Sequence, residues 1–136
     1  MASLIPMLST TQVASLSTTT IAGLTTADWA LFTTAQIQAL TTDQIQAIEV
    51  ADVRGLTTTS MSAFKTDQIA ALTSAQIGNF TSTQVAALSS SQVQAIETSD
   101  IVGLNTADLR ALSNTVVGAM TTDQIAALSS SQMGGL

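Results

Sequence analysis

The chain has 136 residues, with three basic against nine acidic side chains and a formal net charge of −6. No basic patch is available to bind phosphates, so neither a nucleic acid nor an anionic membrane surface is expected as a partner. Cys and His are absent, which excludes disulfides, thiolate metal sites and catalysis by Ser-His-Asp or Cys-His groups. We therefore predict a protein that is not an enzyme and has no catalytic, cofactor-binding or metal site. No apolar run is long enough to span a membrane.

One eight-residue repeat accounts for the whole sequence. Cut from Met1, the chain divides into 17 octads in phase, numbered here 1 to 17, with slots one to eight in each. Residues 41–48 read TTDQIQAI and residues 121–128 read TTDQIAAL. Slots five and eight hold large apolar residues, slot seven is mostly Ala or Gly, slot one is usually Thr or Ser, and slot four is usually Gln. We interpret residues 1–136 as one repeat domain and expect it to be a fragment of a longer array.

The spacing of the apolar slots predicts one short helix per octad. Slots five and eight are three residues apart, which places them on one face of a helix but on opposite faces of a strand. A continuous helix fails, because eight residues turn about 800° and would rotate the apolar pair by about 80° per octad. A helix of about six residues is shorter than the roughly 12–15 that an isolated helix needs in water. The octads must therefore stack on one another as an all-α solenoid.

The residues between successive helices predict a helix cap. Thr at slot one and Gln at slot four form a capping box, in which each side chain accepts a hydrogen bond from the backbone N–H of the other residue. The apolar residues on either side of the cap, such as Ile48 and Val53, are placed as a hydrophobic staple. We expect slots five, seven and eight to lie inside. Slots one to four and slot six should face water or the neighbouring coil.

The first octads differ in how closely they follow the repeat. Octad 1, residues 1–8, is an irregular start, because Pro6 occupies a helix-interior position where proline is poorly tolerated. Octads 2 and 3 are regular apart from Thr20 at slot four. Octad 4 carries the only Trp of the sequence, Trp29, which we interpret as a core residue rather than a binding residue. Octads 5 and 6 are the clearest copies.

Octads 7 and 13 depart from the repeat in the same way. They read EVADVRGL and ETSDIVGL and lie 48 residues apart, each after QAI. We interpret this echo as a relic of duplication; alternatively it marks a periodic surface site made of Glu49, Asp52, Arg54, Glu97 and Asp100. The echo allows two, three or six octads per coil. Gly at slot seven, present in both octads, suits a helix end or a close neighbour.

The last octads stay in phase to the end of the sequence. Octad 15 has Val116 at slot four and so the weakest capping box. Octad 17 ends at Leu136 without a polar closing face. Because solenoids normally need capping repeats, we expect either a piece of a longer array or end-to-end self-association. The first residues have no charged segment followed by a long apolar run, so no signal peptide is expected there.

The octads resemble a known kind of bacterial repeat. TTAQIQAL at residues 33–40 and TTDQIAAL at residues 121–128 are similar to the tandem Thr/Gln/Ala/Leu repeats of very large adhesin-like or surface-associated proteins. The likeness covers the chain from Ser9 onward. It implies helical repeats that act as an extracellular or cell-surface spacer, with any targeting signal elsewhere in a longer parent chain.

Three functions are compatible with the sequence. The favoured one is a non-catalytic array that acts as a spacer, a scaffold or an extended surface. The first alternative is a module that binds an unknown protein or glycan near octads 7 and 13. The second is a β-solenoid whose rows of Thr form an ice-binding-like face, since Thr favours strands. The spacing of the apolar slots and the capping box argue against this last alternative.

Overall fold

The computed structural model describes residues 4–136, so the first three residues of the irregular octad 1 lie outside the described part. Every regular element between residues 4 and 136 is a helix, and no strand occurs there. The predicted all-α solenoid of very short helices is therefore confirmed. The alternative of a β-solenoid with an ice-binding-like face is wrong, because the Thr-rich stretches start helices instead of forming strands.

Each octad contributes one helix of three to six residues. Octads 1, 7 and 13 form the 3-10 helices Ile5–Met7, Val50–Gly55 and Ile101–Gly103. The α-helices of the other octads are Thr10–Ala14, Thr18–Ala22, Thr26–Trp29, Thr34–Ala39, Thr42–Ala47, Thr58–Ala63, Thr66–Ala71, Ser74–Gly78, Ser82–Ala86, Ser90–Ala95, Thr106–Ala111, Asn114–Ala119, Thr122–Ala127 and Ser130–Met133. None of the helices between residues 4 and 136 has the length and hydropathy needed to cross a membrane.

The predicted caps start the α-helices. In octad 5, Gln36 N–H donates to Thr33 Oγ1 at 3.2 Å, and Thr33 N–H donates to Gln36 Oε1 at 2.9 Å. The same two bonds form in octads 2, 6, 10, 11, 12, 16 and 17. Octad 9 keeps one of them, because Lys65 N–H donates to Gln68 Oε1 but an ammonium group cannot accept. Each cap residue is extended, which turns the chain between successive helices.

Slots five and eight build one core along the whole solenoid. Slot five is 0–1% exposed from Val13 to Leu109, and slot eight is at most 8% exposed from Phe32 to Leu128. Slot seven is mostly half-buried, so the expectation that it lies inside holds only in part. Trp29 is fully buried and stacks on Phe32 with ring centroids 4.6 Å apart. Its interpretation as a core residue is confirmed.

One coil of the solenoid takes between three and four octads. The elements in most extensive contact lie three octads apart, as in Thr26–Trp29 against Val50–Gly55 and Ser74–Gly78 against Ile101–Gly103. Hydrogen bonds from slot four instead reach octads four positions back, 28 and 31 residues earlier. Each octad therefore spans the junction between two octads of the adjacent coil. Of the values that the 48-residue echo allowed, three octads is the spacing of the helices in contact, and two and six are not.

Candidate functional site

Buried Gln side chains at slot four join each coil to the preceding one. Gln68 Nε2 donates to Ile37 O at 2.7 Å and to Leu40 O at 2.9 Å. These are carbonyls of slots five and eight, at the end of a short helix. The slot-five carbonyl Ile37 O also accepts from Leu40 N–H at 3.2 Å. We call this series of bonds the glutamine ladder. Its other members are Gln36, Gln44, Gln76, Gln84, Gln92, Gln124 and Gln132.

A ladder glutamine uses both ends of its amide. The Oε1 atom accepts from the slot-one N–H of its own octad, and the Nε2 atom donates to the preceding coil. The ladder side chains are only 1–6% exposed, and buried polar groups are costly when they lack partners. One side chain therefore pairs donors at the start of its own helix and acceptors at the end of another.

Sequence reasoning found the capping half of this arrangement and missed the ladder half. A signal for the ladder was present in the residue choice at slot four. A capping box accepts Glu as readily as Gln, yet slot four holds Gln nine times and Glu never. An ionised Glu has no N–H to donate. The choice of Gln over Glu therefore indicates a donor that must reach a second partner.

The ladder is interrupted where slot four holds another residue. Asp108 is 1% exposed and faces the preceding coil, where it accepts from Ser82 Oγ at 3.5 Å, while Asn105 N–H donates to it at 3.2 Å within its own octad. Burial raises the pKa of the Asp108 carboxyl above its ordinary value, and these two hydrogen bonds offset only part of that shift. Burial therefore makes the ionised form of Asp108 a destabilising group in the folded chain. The other interruptions are Asp52, Ser60, Asp100 and Val116.

We expect Asp108→Gln to stabilise the protein by about 1–2 kcal/mol at pH 7. The new amide would donate to Ile77 O and Phe80 O, which lie 31 and 28 residues back as in the regular ladder, and the buried charge would disappear. Because the pKa of Asp108 is raised in the folded state relative to the unfolded state, protonation of this group makes the wild-type protein more stable as the pH falls through the folded-state pKa. The advantage of the variant should therefore shrink on acidification. Urea unfolding midpoints of both proteins at neutral and acidic pH measure this advantage. An advantage that grows on acidification would contradict the conclusion that the ionised Asp108 carboxyl destabilises the fold.

The five residues predicted as a periodic surface site lie in two groups, one in octad 7 and one in octad 13. Octads 7 and 13 each contact octad 10. The three octads therefore form one stack across successive coils, here called a column, with octad 10 in the middle. Glu49 and Glu97 therefore stand two coils apart, about 16–20 Å for packed helices. Between residues 4 and 136, no group of three or more acidic side chains is close enough to hold a metal ion.

The charged groups of octads 7 and 13 make contacts within the solenoid. Arg54 Nε donates to Asn79 O at 3.0 Å, a bond between neighbouring coils. Asp100 is half-buried. Its pKa is raised, first by burial and then by the charge of Glu97, while a hydrogen bond from the Ser74 backbone lowers it. These contacts join the side chains to neighbouring coils, and the periodic surface site stays a prediction.

Glycine at slot seven allows a close backbone approach in octads 7 and 13. A Cβ on Gly55 would clash with the carbonyl of Thr26, and a Cβ on Gly103 would clash with the carbonyl of Ser74. The predicted close neighbour at these glycines is therefore confirmed. The tight approach of the two backbones coincides with the two 3-10 helices inside the array.

The sequence that joins two helices and ends at a ladder glutamine matches the motif of a known family. Residues 71–76 read ALTSAQ and run from slot seven, through the cap, to the ladder residue Gln76. The family model described as the ALTTAQ repeat matches residues 45–82 and 101–136, more than half of the chain. The chain belongs to the ALTTAQ repeat family. This confirms the tandem repeat expected from the octads. No curated protein and no solved structure matches the chain.

Proposed function

We propose that this ALTTAQ array is a non-catalytic structural element, a spacer or scaffold whose length is set by its number of octads. The glutamine ladder is the observation that carries the proposal. It joins coils through the same pair of hydrogen bonds along the array, from Gln36 to Gln132. A coil can therefore be added or removed without changing the chemistry of the remaining junctions. The protein acts through geometry, with no cofactor and no catalytic group.

The proposed place of action is a bacterial cell surface or the extracellular space. The support is the likeness of the octads to repeats of very large surface-associated proteins, together with a surface of Thr, Ser and Gln that carries few charges. The proposed partner class is a protein or a glycan lying along this surface, with neither nucleic acid binding nor membrane insertion. A binding site confined to octads 7 and 13 is the weaker candidate, because their charged residues are spread over two coils.

Duplicating residues 65–96 in place tests the spacer function. This segment contains four complete octads with Gln68, Gln76, Gln84 and Gln92 at slot four. We expect the maximum dimension in small-angle X-ray scattering to rise by about 8–10 Å, one layer of packed helices, with an unchanged cross-section. A second duplication should add the same increment. A thicker particle of unchanged length would contradict the proposal.

A further inference from the structure

Octads 4, 7, 10, 13 and 16 form one side of the solenoid. The column of octads 7, 10 and 13 continues in both directions, because Val50–Gly55 contacts Thr26–Trp29 and Ile101–Gly103 contacts Thr122–Ala127. The other octads from octad 2 onward also stack three octads apart, so the solenoid has two further columns. Octads 3, 6, 9, 12 and 15 form one of them, and octads 2, 5, 8, 11, 14 and 17 form the other.

The column of octads 4 to 16 exposes large apolar side chains. Between residues 9 and 128 the exposed ones are Leu31, Val50 and Val102, at 44%, 41% and 57%. They lie in octads 4, 7 and 13 and so extend over three steps of this one column, about 24–30 Å for packed helices. Single exposed apolar residues are ordinary on a protein surface. These three are distinguished by sharing a column that also has an excess of charge.

The same column carries nearly all of the net charge. It has six of the nine acidic residues of the sequence and one of the three basic residues, which gives it a formal charge of −5 out of −6 for the chain. The acidic residues are Asp28, Glu49, Asp52, Glu97, Asp100 and Asp123, and the basic residue is Arg54. All seven side chains are exposed or half-buried. We call the exposed surface of octads 4, 7, 10, 13 and 16 the acidic column.

Close contacts fix the octads of the acidic column relative to one another. Glycines at slot seven bring the backbones of octads 7 and 13 against octads 4 and 10. Arg54 Nε donates to Asn79 O at 3.0 Å, and Asn79 Nδ2 donates to Val50 O, so two side-chain bonds join octads 7 and 10. A surface that is already ordered loses less entropy when it binds a partner.

We propose that the acidic column is a docking surface for a basic amphipathic helix of a partner protein. The proposal rests on the structural function proposed above and names the chemistry of the partner. The acidic residues match Lys and Arg side chains of such a helix, while Leu31, Val50 and Val102 match an apolar stripe beside them. At a rise of about 1.5 Å per residue, a helix of about 16–20 residues spans the three apolar side chains.

A second copy of this chain does not supply such a partner. The basic residues outside the acidic column are Lys65 and Arg110, which lie in different columns. Each is offset by an acidic residue of its own octad, Asp67 or Asp108. None of the three columns between octads 2 and 17 is therefore basic, and two acidic columns would repel each other. An acidic glycan would be repelled in the same way, which favours a basic protein as the partner.

A synthetic helix carrying a fluorophore tests the docking on the full chain. The probe, here called the Lys peptide, has about 18 residues, with Leu along one face and Lys on the others, and a second peptide has Glu in place of each Lys. Titration of the Lys peptide with the full chain should give a saturable rise in anisotropy with one peptide per chain, and added salt should weaken the binding. The Glu peptide should not bind. No binding of the Lys peptide, or equal binding of both peptides, would overturn the proposal.

Charge substitutions on the full chain locate the surface. Glu49→Gln with Glu97→Gln removes two charges from the acidic column, and Asp43→Asn with Asp67→Asn removes two charges from the column of octads 3 to 15. All four side chains are exposed, so the two double variants are matched in charge and in exposure. The first should bind the Lys peptide about fivefold more weakly, and the second should change binding by less than about twofold. Equal losses would mean that the peptide responds only to net charge, and no particular column would then be its docking surface.

Apolar substitutions test the other half of the match. Val50→Ser with Val102→Ser should weaken binding of the Lys peptide by about tenfold, because two apolar contacts are lost. Met133→Ser is the control, since Met133 is 45% exposed but lies in octad 17, in another column, and this variant should bind as the wild type does. Circular dichroism checks that every variant stays folded. Wild-type affinity in the valine double variant would sink the docked amphipathic helix, whereas the scattering experiment would still decide the spacer function separately.

Discussion

Deleting residues 81–88 should leave the solenoid folded, whereas deleting residues 81–84 should unfold its C-terminal half. The eight-residue deletion moves octad 12 into the place of octad 11. Gln92 would then face Val53 O and Leu56 O, the carbonyls that Gln84 now reaches at 2.9 and 2.7 Å. One octad of buried apolar surface is lost, but so is the conformational entropy of ordering eight residues. The net loss of stability should be about 1–2 kcal/mol.

The four-residue deletion displaces octads 12 to 17 by half an octad along the coil. The side chain of Gln92 would then face slots one and four of octad 8, at Thr57 and Ser60. The Thr57 carbonyl already accepts from Met61 N–H at 2.9 Å. Slots five and eight would be displaced from the core in the same way, leaving polar residues buried without partners. A loss of more than about 5 kcal/mol, comparable with the whole stability of a small domain, is expected.

Thermal and urea unfolding followed by far-UV circular dichroism compares the two deletions. Limited proteolysis locates the unfolded region, because the four-residue deletion should expose cleavage sites only after residue 84. The eight-residue deletion is the control for chain shortening, since it removes more residues and is expected to do less harm. Equal midpoints for the two variants would show that phase is not what holds the array together.

The parts of this fold that depend on residues a few positions apart could be predicted from the sequence. The caps link slots one and four, and the apolar face links slots five and eight, so one octad contains both signals. The size of the coil could not be predicted, because it depends on bonds that join residues 28 and 31 positions apart. Local propensity carries no information about such distances. The glutamine ladder could not be predicted for the same reason, since Gln76 satisfies the local capping pattern whether or not its amide reaches another coil.

The candidate surface site also combines a local feature that the sequence predicts with a long-range feature that it does not predict. The echo of octad 7 in octad 13 was visible in the sequence, and the structure gives it a geometric meaning as two steps of three octads in one column. That octad 10 stands between Glu49 and Glu97 follows from the coil and could not be read from their spacing. The backbone approach at Gly55 and Gly103 is likewise a property of the stacking, although the glycines themselves were noticed.

Replacing Gln76 by Glu should destabilise the protein by about 2–4 kcal/mol at pH 7. The substitution keeps an oxygen for the hydrogen bond from Thr73 N–H, now 2.9 Å long. It replaces the Nε2 donor, which lies 2.9 Å from Ile45 O and 2.8 Å from Ile48 O, with a second oxygen. Gln76 is 1% exposed, so a charged carboxylate would be buried against two carbonyl oxygens. Part of the loss should be regained at acidic pH, where a protonated carboxyl can donate to one of them.

Gln12→Glu is the matched control for this substitution. Gln12 forms the same capping box, with Ser9 N–H donating to its Oε1 at 2.8 Å and its own N–H donating to Ser9 Oγ at 3.1 Å. It differs in lying on the first coil, exposed to water, where no earlier octad of this chain presents carbonyls to its amide. The same chemical change should therefore alter the free energy of unfolding by no more than about 0.5 kcal/mol.

Urea unfolding of the two variants at pH 7, and of Gln76→Glu again at acidic pH, separates the two uses of the slot-four glutamine. If the cap were its only use, both variants would keep wild-type stability, because Glu caps as well as Gln. If the ladder holds the coils together, Gln76→Glu loses several-fold more stability than Gln12→Glu and recovers some of it on protonation. Equal behaviour of the two variants would leave slots five and eight as the sole source of coil stacking. The chain would then have no physical reason to use Gln at slot four in place of Glu.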